Sequence, residues 1–268
     1  MENVMMPLQP YLMLTAKNLK IKNENHCGIS HFYQNGFLDE KNEINAVPDG
    51  CIDLVFSFDD DNVHTMIGGT VLKAAPWTLE KNKECFGVRF SPGNDVLPKP
   101  LTVDMLINKD FTIDGNIFGD HLEEKLMEAE SLEHRVRIFI EAYEKLLFEY
   151  KQDDIKKGIE KYVRERIINT AETIAIQDLI AETGYSECYI RRIFKQYNGI
   201  SPKQFAKFIR FQYLLSEIKK DSSIEELAMR CNYYDEAHMI KEFKCFAGMT
   251  VEKYKKNVLP KILSDSSI

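Results

Sequence analysis

The chain has 268 residues, 44% of them hydrophobic and 29% charged, with a net charge of −7. That length points to two domains and the composition to ordinary globular cores. It excludes a uniformly basic nucleic-acid binder, and without any run of about 18 apolar residues it excludes a membrane span. Met1 to Pro10 carries no basic flank followed by an apolar core, so no secretory signal is expected, and the expected location is the cytoplasm. The six cysteines (27, 51, 85, 188, 231, 245) form no C-x-x-C pair. In a reducing compartment they read as free thiols.

In chain order, residues 1 to about 113 read as mostly β. The runs Cys51-Ile-Asp-Leu-Val-Phe-Ser-Phe58 and Cys85-Phe-Gly-Val-Arg-Phe90 are short and apolar. Turn signals bound them at Pro48-Asp49-Gly50, Asp59 to Asn62, Gly68-Gly69 and Ser91-Pro92-Gly93. Such strands predict a sandwich or small barrel. From about 119 the period changes: Leu122, Leu126, Ala129, then Val136, Phe139, Ile140, Tyr143, Leu146 and Leu147 recur at helical spacing, predicting two amphipathic helices over 119–148. These helices are the expected dimer surface, unless they only cover the sheet. The polar stretch Lys151 to Asp154 is the candidate linker, and everything beyond reads as helix. The expected class is α+β: a β-rich unit with flanking helices over 1–150, then an all-α unit over 152–258.

The two halves differ in charge. Residues 1–150 hold 14 Lys and Arg against 25 Asp and Glu, a balance of −11; residues 151–268 hold 21 against 17, a balance of +4. Within 186–220 there are 8 cations against 2 anions. An acidic half joined to one with a basic stripe suggests a separable polyanion-binding module.

That second half repeats itself. Ile176-Gln-Asp-Leu179 matches Ile224-Glu-Glu-Leu227, and Gly184-Tyr185 matches Asn232-Tyr233, at an offset of 48. Phe194-Lys195 matches Phe243-Lys244, Gly199 matches Gly248 and Ser201 matches Thr250, at an offset of 49. Each copy reads as helix, tight turn, helix, glycine stop, then a capped new helix. Gly184 and Asn232 suit a turn that needs positive φ. Ser223 with Glu226 makes a capping box, and Ser201-Pro202 an N-cap followed by a first-turn proline. Ile190, Ile193 and Phe194 should face inward in copy one, and Met239, Ile240 and Phe243 in copy two. Arg191, Arg192, Lys195, Lys241 and Lys244 then face out.

A helix-turn-helix with basic residues on its second helix fits the major groove of B-DNA. Pro202 to Lys220, as one helix, spans roughly 28 Å. That is a plausible strut for two reading helices near the ~34 Å spacing of successive major grooves on one DNA face.

On the residues 174–256 the sequence resembles the AraC family of bacterial transcription regulators. The pattern is carried by Gly184-Tyr185-Ser186, Ile190-Arg191-Arg192-Ile193-Phe194-Lys195, Gly199-Ile200-Ser201-Pro202, Phe205 and Arg210. It continues in Ser223-Ile224, Leu227-Ala228, Tyr233 to His238, Glu242-Phe243-Lys244, Gly248-Met249-Thr250 and Tyr254. The resemblance implies double-stranded DNA as partner, with RNA polymerase and a second copy of the chain as further partners. The base-facing positions would fall on Cys188, Arg191 and Arg192, then on Glu236, Ala237 and Lys241, with Ser186 fixing the helix to the backbone. Lys195, Lys203, Lys207 and Lys244 are the expected phosphate contacts. Ile180 stands where the family has alanine, Asn232 replaces the turn glycine, and Val251 a proline. Ala237 offers only apolar contact and Glu236 repels phosphates, so copy one should supply more affinity than copy two.

The N-terminal half resembles an AraC subgroup marked by a Pro-Asp-Gly-Cys turn, here Pro48-Asp49-Gly50-Cys51. That implies a sensing domain, with a small-molecule effector or dimerisation as its role. Trp77, in a loop-like stretch after Pro76, and Arg89, in an apolar strand, are the candidate effector residues. A charge at Arg89 must be paired, by an acidic residue such as Asp53 or by an anionic effector. Metal or redox sensing through Cys51, Cys27 or Cys85 is the remote alternative. Cys27 beside His26, with His31 and His64, fits no standard zinc spacing, so no metal and no cofactor are expected. No nucleophile elbow, P-loop, zinc-protease or dinucleotide motif is present, and no enzyme is expected.

Overall fold

The computed structural model describes residues 8–10, 18–36, 44–60, 62–77, 83–93, 96–149, 155–170, 176–219 and 221–265. The candidate linker at 151–154 lies outside the described residues.

The described residues of the first half form eight strands: β1 (Lys20–His26), β2 (Ile29–Asn35), β3 (Ile44–Ala46), β4 (Ile52–Phe58), β5 (Val63–Gly68), β6 (Ala75–Trp77), β7 (Glu84–Phe90) and β8 (Asp110–Ile113). Six form one sheet in the order β1-β2-β7-β4-β5-β8, and β3 pairs with β6. All these pairings are antiparallel. A short helix, α1 (Val103–Leu106), and a 3-10 turn (Gly115–Phe118) precede α2 (Leu122–Glu128) and α3 (Leu132–Glu149). The fold is thus a β-sheet domain with flanking helices, followed by a helical half, as the sequence leads one to expect; α1 was too short for its periodicity to show.

The sheet is covered on both faces. Phe32, Leu54, Phe56, Phe86, Val88 and Phe90 pack with Phe139, Tyr143 and Leu146 of α3. Tyr33, Val55 and Cys85, on alternate positions of the same strands, join a core shared with the C-terminal helices. A strand buried on both sides has no polar face, so β4 and β7 read as continuous apolar runs rather than alternations. Tyr33 lies across Gly87: a Cβ there would sit 2.0 Å from the ring. The helices over 119–148 therefore spend their apolar side on the sheet.

The C-terminal half comprises α4 (Ile155–Thr170), α5 (Ile176–Thr183), α6 (Glu187–Asn198), α7 (Pro202–Glu217), α8 (Ile224–Arg230), α9 (Glu236–Ala247), α10 (Val251–Asn257) and α11 (Leu259–Asp265). Ser186, Ser201, Ser223, Asp235 and Thr250 cap their helices, Ser223 in a full capping box with Glu226. Gly184 and Asn232 take φ of 73° and 55° at the matching turns, and Gly199 and Gly248 take 69° and 71° at the matching stops. Val251 is buried at the start of α10, and Ile180 packs half-buried against the core. One expectation fails: Ile240 is 37% exposed. The inward place goes instead to Glu242, beside Met239 and Phe243, where its carboxylate meets Arg210.

Candidate nucleic-acid interface

α5 with α6, and α8 with α9, are two helix-turn-helix units joined by α7. In α6 the buried residues Ile190, Ile193, Phe194 and Tyr197 leave Cys188, Arg191, Arg192 and Lys195 exposed. The Ser186 hydroxyl accepts from the Tyr189 amide, which fixes the start of the helix. Arg191 Nη2 lies 2.5 Å from Glu187 Oε1 on the exposed face. The Arg192 guanidinium sits 5.3 Å from the Tyr189 ring centre, and Tyr189 stacks on Tyr185 at 4.9 Å. Arg192 is thus held over an aromatic surface, whereas Arg191 is shared with Glu187.

In α9, Glu236, Ala237, Lys241 and Lys244 are exposed, and Asp235 accepts from the His238 amide at 2.7 Å. Tyr234, just before the cap, is 93% exposed. On α7, Lys203 is exposed and Lys207 half-buried; Lys207 Nζ lies 3.8 Å from Glu242 Oε2. The buried carboxylate of Glu242 takes Arg210 Nη2 at 2.6 Å and Nε at 3.2 Å, and Arg210 also lies over the Tyr233 ring at 4.2 Å. This ion pair fastens α9 to α7, a role that charge counting missed when Arg210 entered the basic stripe.

The N-terminal residues fare differently. Arg89 is 1% exposed. Its Nη1 donates to Asp53 Oδ1 and Oδ2 at 2.9 and 2.7 Å, and its Nη2 pairs with Asp49. Asp53 is the partner the sequence suggested; Asp49 was not foreseen. Both carboxylates thus meet a buried guanidinium, the acidic pairing that the sequence offers beside an anionic effector. Trp77 lies at the end of β6, its backbone paired with Ile44, not in a loop. Its side chain lies outside the described residues.

Each member of the Pro-Asp-Gly-Cys turn has a physical task. The Pro48 carbonyl accepts from Gln212 Nε2 of α7 at 2.9 Å. Asp49 pairs with Arg89 and accepts from the Cys51 amide at 2.9 Å and from Gln9 Nε2 at 2.7 Å. Gly50 has φ +82° and lies against Phe205 of α7. Cys51 is buried, and burial, then Asp53, pushes its thiol well above the ordinary range. Burial, then Glu144 and Glu24, raises the Cys27 thiol as well. With no cation bound, the thiol form is therefore favoured at both.

Further ties cross between the halves. Gly199 packs on Ile107 and Asp104, and Gly248 on Ala74. The Ala74 amide donates to the Cys245 carbonyl at 3.2 Å, and Gln212 bonds both the amide and the carbonyl of Leu8. The glycine stops of α6 and α9, equivalent in the repeat, thus both rest on the N-terminal half, Gly199 at the end of α1 and Gly248 just before β6.

Residues 179–257 match the family described as "Helix-turn-helix domain". The C-terminal half carries a helix-turn-helix domain. Residues 28–108 match a domain of unknown function, DUF6597. Over 108 residues the chain is 30% identical to an "Uncharacterized HTH-type transcriptional regulator YidL" of Escherichia coli (strain K12), covering 40% of this chain and 36% of that protein. An HTH-type regulator of Haemophilus influenzae is 27% identical over 149 residues, half of each chain. The probable transcription factor PqrA of Proteus vulgaris is 28% identical over 109 residues, 39% of this chain and 83% of that one. The chain thus spans half or less of the length of the first two of these relatives. Among solved structures, an apo form of ToxT from Vibrio cholerae is similar with a TM-score of 0.45 at 13% identity, over 88% of this chain and 100% of that one. No helix among the described residues is long and apolar enough to cross a membrane.

Proposed function

We propose that the protein is a sequence-specific DNA-binding transcription regulator whose N-terminal domain controls its AraC-type half. The observation that carries this reading is the exposed basic side of α6, with Arg191, Arg192 and Lys195, and its counterpart on α9, with Lys241 and Lys244. Arg191 and Arg192 read base edges; Lys195, Lys203 and Lys244 hold phosphates, with Lys207 a weaker contributor because it is shared with Glu242. Glu236 and Ala237 leave α9 a poorer reader than α6. The division into a control unit at 1–150 and a DNA unit at 152–258, homodimerisation, and contact with RNA polymerase belong to the same reading, as does membership of the Pro-Asp-Gly-Cys subgroup.

For control, the ties through Gly50, Gln212, Gly199 and Gly248 let any shift in the N-terminal loops bias the reading helices. A cleft lined by Gln9, Asp49, Asp53, Thr70 and Asp110 holds about 60 Å³, against roughly 300 Å³ or more for a typical small-molecule pocket. An effector that uses it must be small and polar, or must open it by binding a minor conformation better than this one.

The test is selection of bound duplexes from random DNA with the full chain. Enriched sites with elements about one helical turn apart are expected. No preference for any duplex at low ionic strength would sink the reading.

A further inference from the structure

The rim of the sheet holds a group of donors that the DNA reading leaves unused. His26, Cys27 and Glu144 place an imidazole nitrogen, a sulfur and a carboxylate oxygen within 4.8 Å of one another. Two come from the β1–β2 hairpin and the third from the middle of α3. Ligand atoms bound 2.0–2.3 Å from one zinc ion lie roughly 3–4 Å apart, so small side-chain rotations close the set. We propose that His26, Cys27 and Glu144 form a three-residue site for a borderline-soft divalent cation of the zinc class, with solvent in the fourth position.

Three observations support it. The first is the turn itself. Cys27 and Gly28 have φ of 56° and 75°, a two-residue hairpin loop of the kind that favours Asn, Asp or Gly at both places. A cysteine gives up that preference, and its sulfur gains a place beside His26 and Glu144. The second is rigidity. Tyr143, next to Glu144, is fully buried, packs on Phe90 at 5.3 Å and donates to the Val96 carbonyl at 3.0 Å. Cys27 packs against the same core, so both elements are fixed before an ion arrives. The third is chemistry. A thiolate and an imidazole with one carboxylate suit zinc, cobalt or nickel and not calcium or magnesium, which take oxygen ligands. His26 Nε2 already meets Glu144 Oε1 at 2.7 Å; a cation would replace that contact, with the thiol proton leaving to solvent. The ion would then tie the hairpin to α3, whose residues are more than a hundred positions away. The inference does not depend on the DNA reading.

The experiment uses the full chain, reduced and freed of metal, titrated with Co²⁺ and then Zn²⁺. One equivalent of Co²⁺ should give a thiolate-to-cobalt charge-transfer band in the near ultraviolet and visible bands of tetrahedral intensity, both bleached by Zn²⁺. Cys27→Ser should abolish the charge-transfer band. His26→Ala and Glu144→Gln, both at exposed positions, should weaken binding by roughly tenfold or more. Zn²⁺ should raise the melting temperature of the parent chain and not that of the variants. The double variant Cys188→Ser, Cys245→Ser removes the two exposed thiols and should bind as the parent does. A band that survives Cys27→Ser, binding that is lost in the Cys188/Cys245 variant, affinity unchanged in both His26→Ala and Glu144→Gln, or no one-to-one binding would overturn the site and leave His26–Glu144 a surface ion pair.

Discussion

Gly50 lies against the ring of Phe205: a Cβ built on it would come within 2.9 Å of the ring, at a backbone φ of +82°. The two residues belong to different halves of the chain, so this contact makes a sheet turn part of the seat of α7. Gly50→Ala should therefore cost about 2–4 kcal/mol, from the left-handed conformation and the overpacking together. Denaturant unfolding of the full chain measures it. Phe205→Leu in the same background should recover part of the loss; strict additivity of the two changes would show that they do not touch in solution.

The Arg210–Glu242 pair is a second fastening, within the helical half. Both side chains are under a tenth exposed, and Lys207 and His238 also approach Glu242 at 3.8 and 3.9 Å. Glu242→Gln leaves a buried guanidinium without its anion, which should cost about 3–5 kcal/mol. A cost under about 1 kcal/mol would mean that Arg210 finds water instead.

Acid should weaken the protein through His31. This ring is 7% exposed, and burial, then the Arg89 charge, lowers its pKa to about 3. The folded state thus keeps His31 neutral where the unfolded chain, at about 6.5, takes up a proton. Stability from this group is present above the unfolded value of about 6.5 and is lost as pH falls from there toward 3, by about 1 kcal/mol in the first pH unit and about 1.4 kcal/mol per unit below that. In His31→Asn the slope of unfolding free energy against pH over that window should flatten by one proton. An unchanged slope would place the protonation elsewhere.

On DNA, Arg192 and Lys195 should separate. Arg192→Ala should lose about 1–3 kcal/mol on a selected site and little on random duplex. Lys195→Ala should weaken both alike and reduce the slope of log affinity against log salt by about 0.9. Fluorescence anisotropy at several salt concentrations distinguishes them; equal losses for Arg192→Ala on both duplexes would make it a phosphate contact only.

The helical half was legible because its determinants are local. Ser186, Ser201 and Ser223 cap the helices that follow them, and Gly184 and Asn232 turn where the repeat says they should. The long-range pairings were not. Arg89 announced the need for an anion, and Asp53, across the strand pair, could be guessed. Asp49 could not, because the turn folds back on its own sheet. Glu144 stands far from Cys27 in sequence, so no ligand spacing shows their meeting. Ile240 fits the helical period as well as Glu242 does. Only the distant Arg210 decides which of them turns inward, and periodicity carries no information on that.

The lining of the sheet by both neighbours has a practical corollary. A fragment ending near 150 would strip Tyr33, Val55 and Cys85 of the core they share with the C-terminal helices, leaving an oily plate. Such a fragment should be sticky and prone to clumping, and screens for small-molecule binding belong on the intact polypeptide.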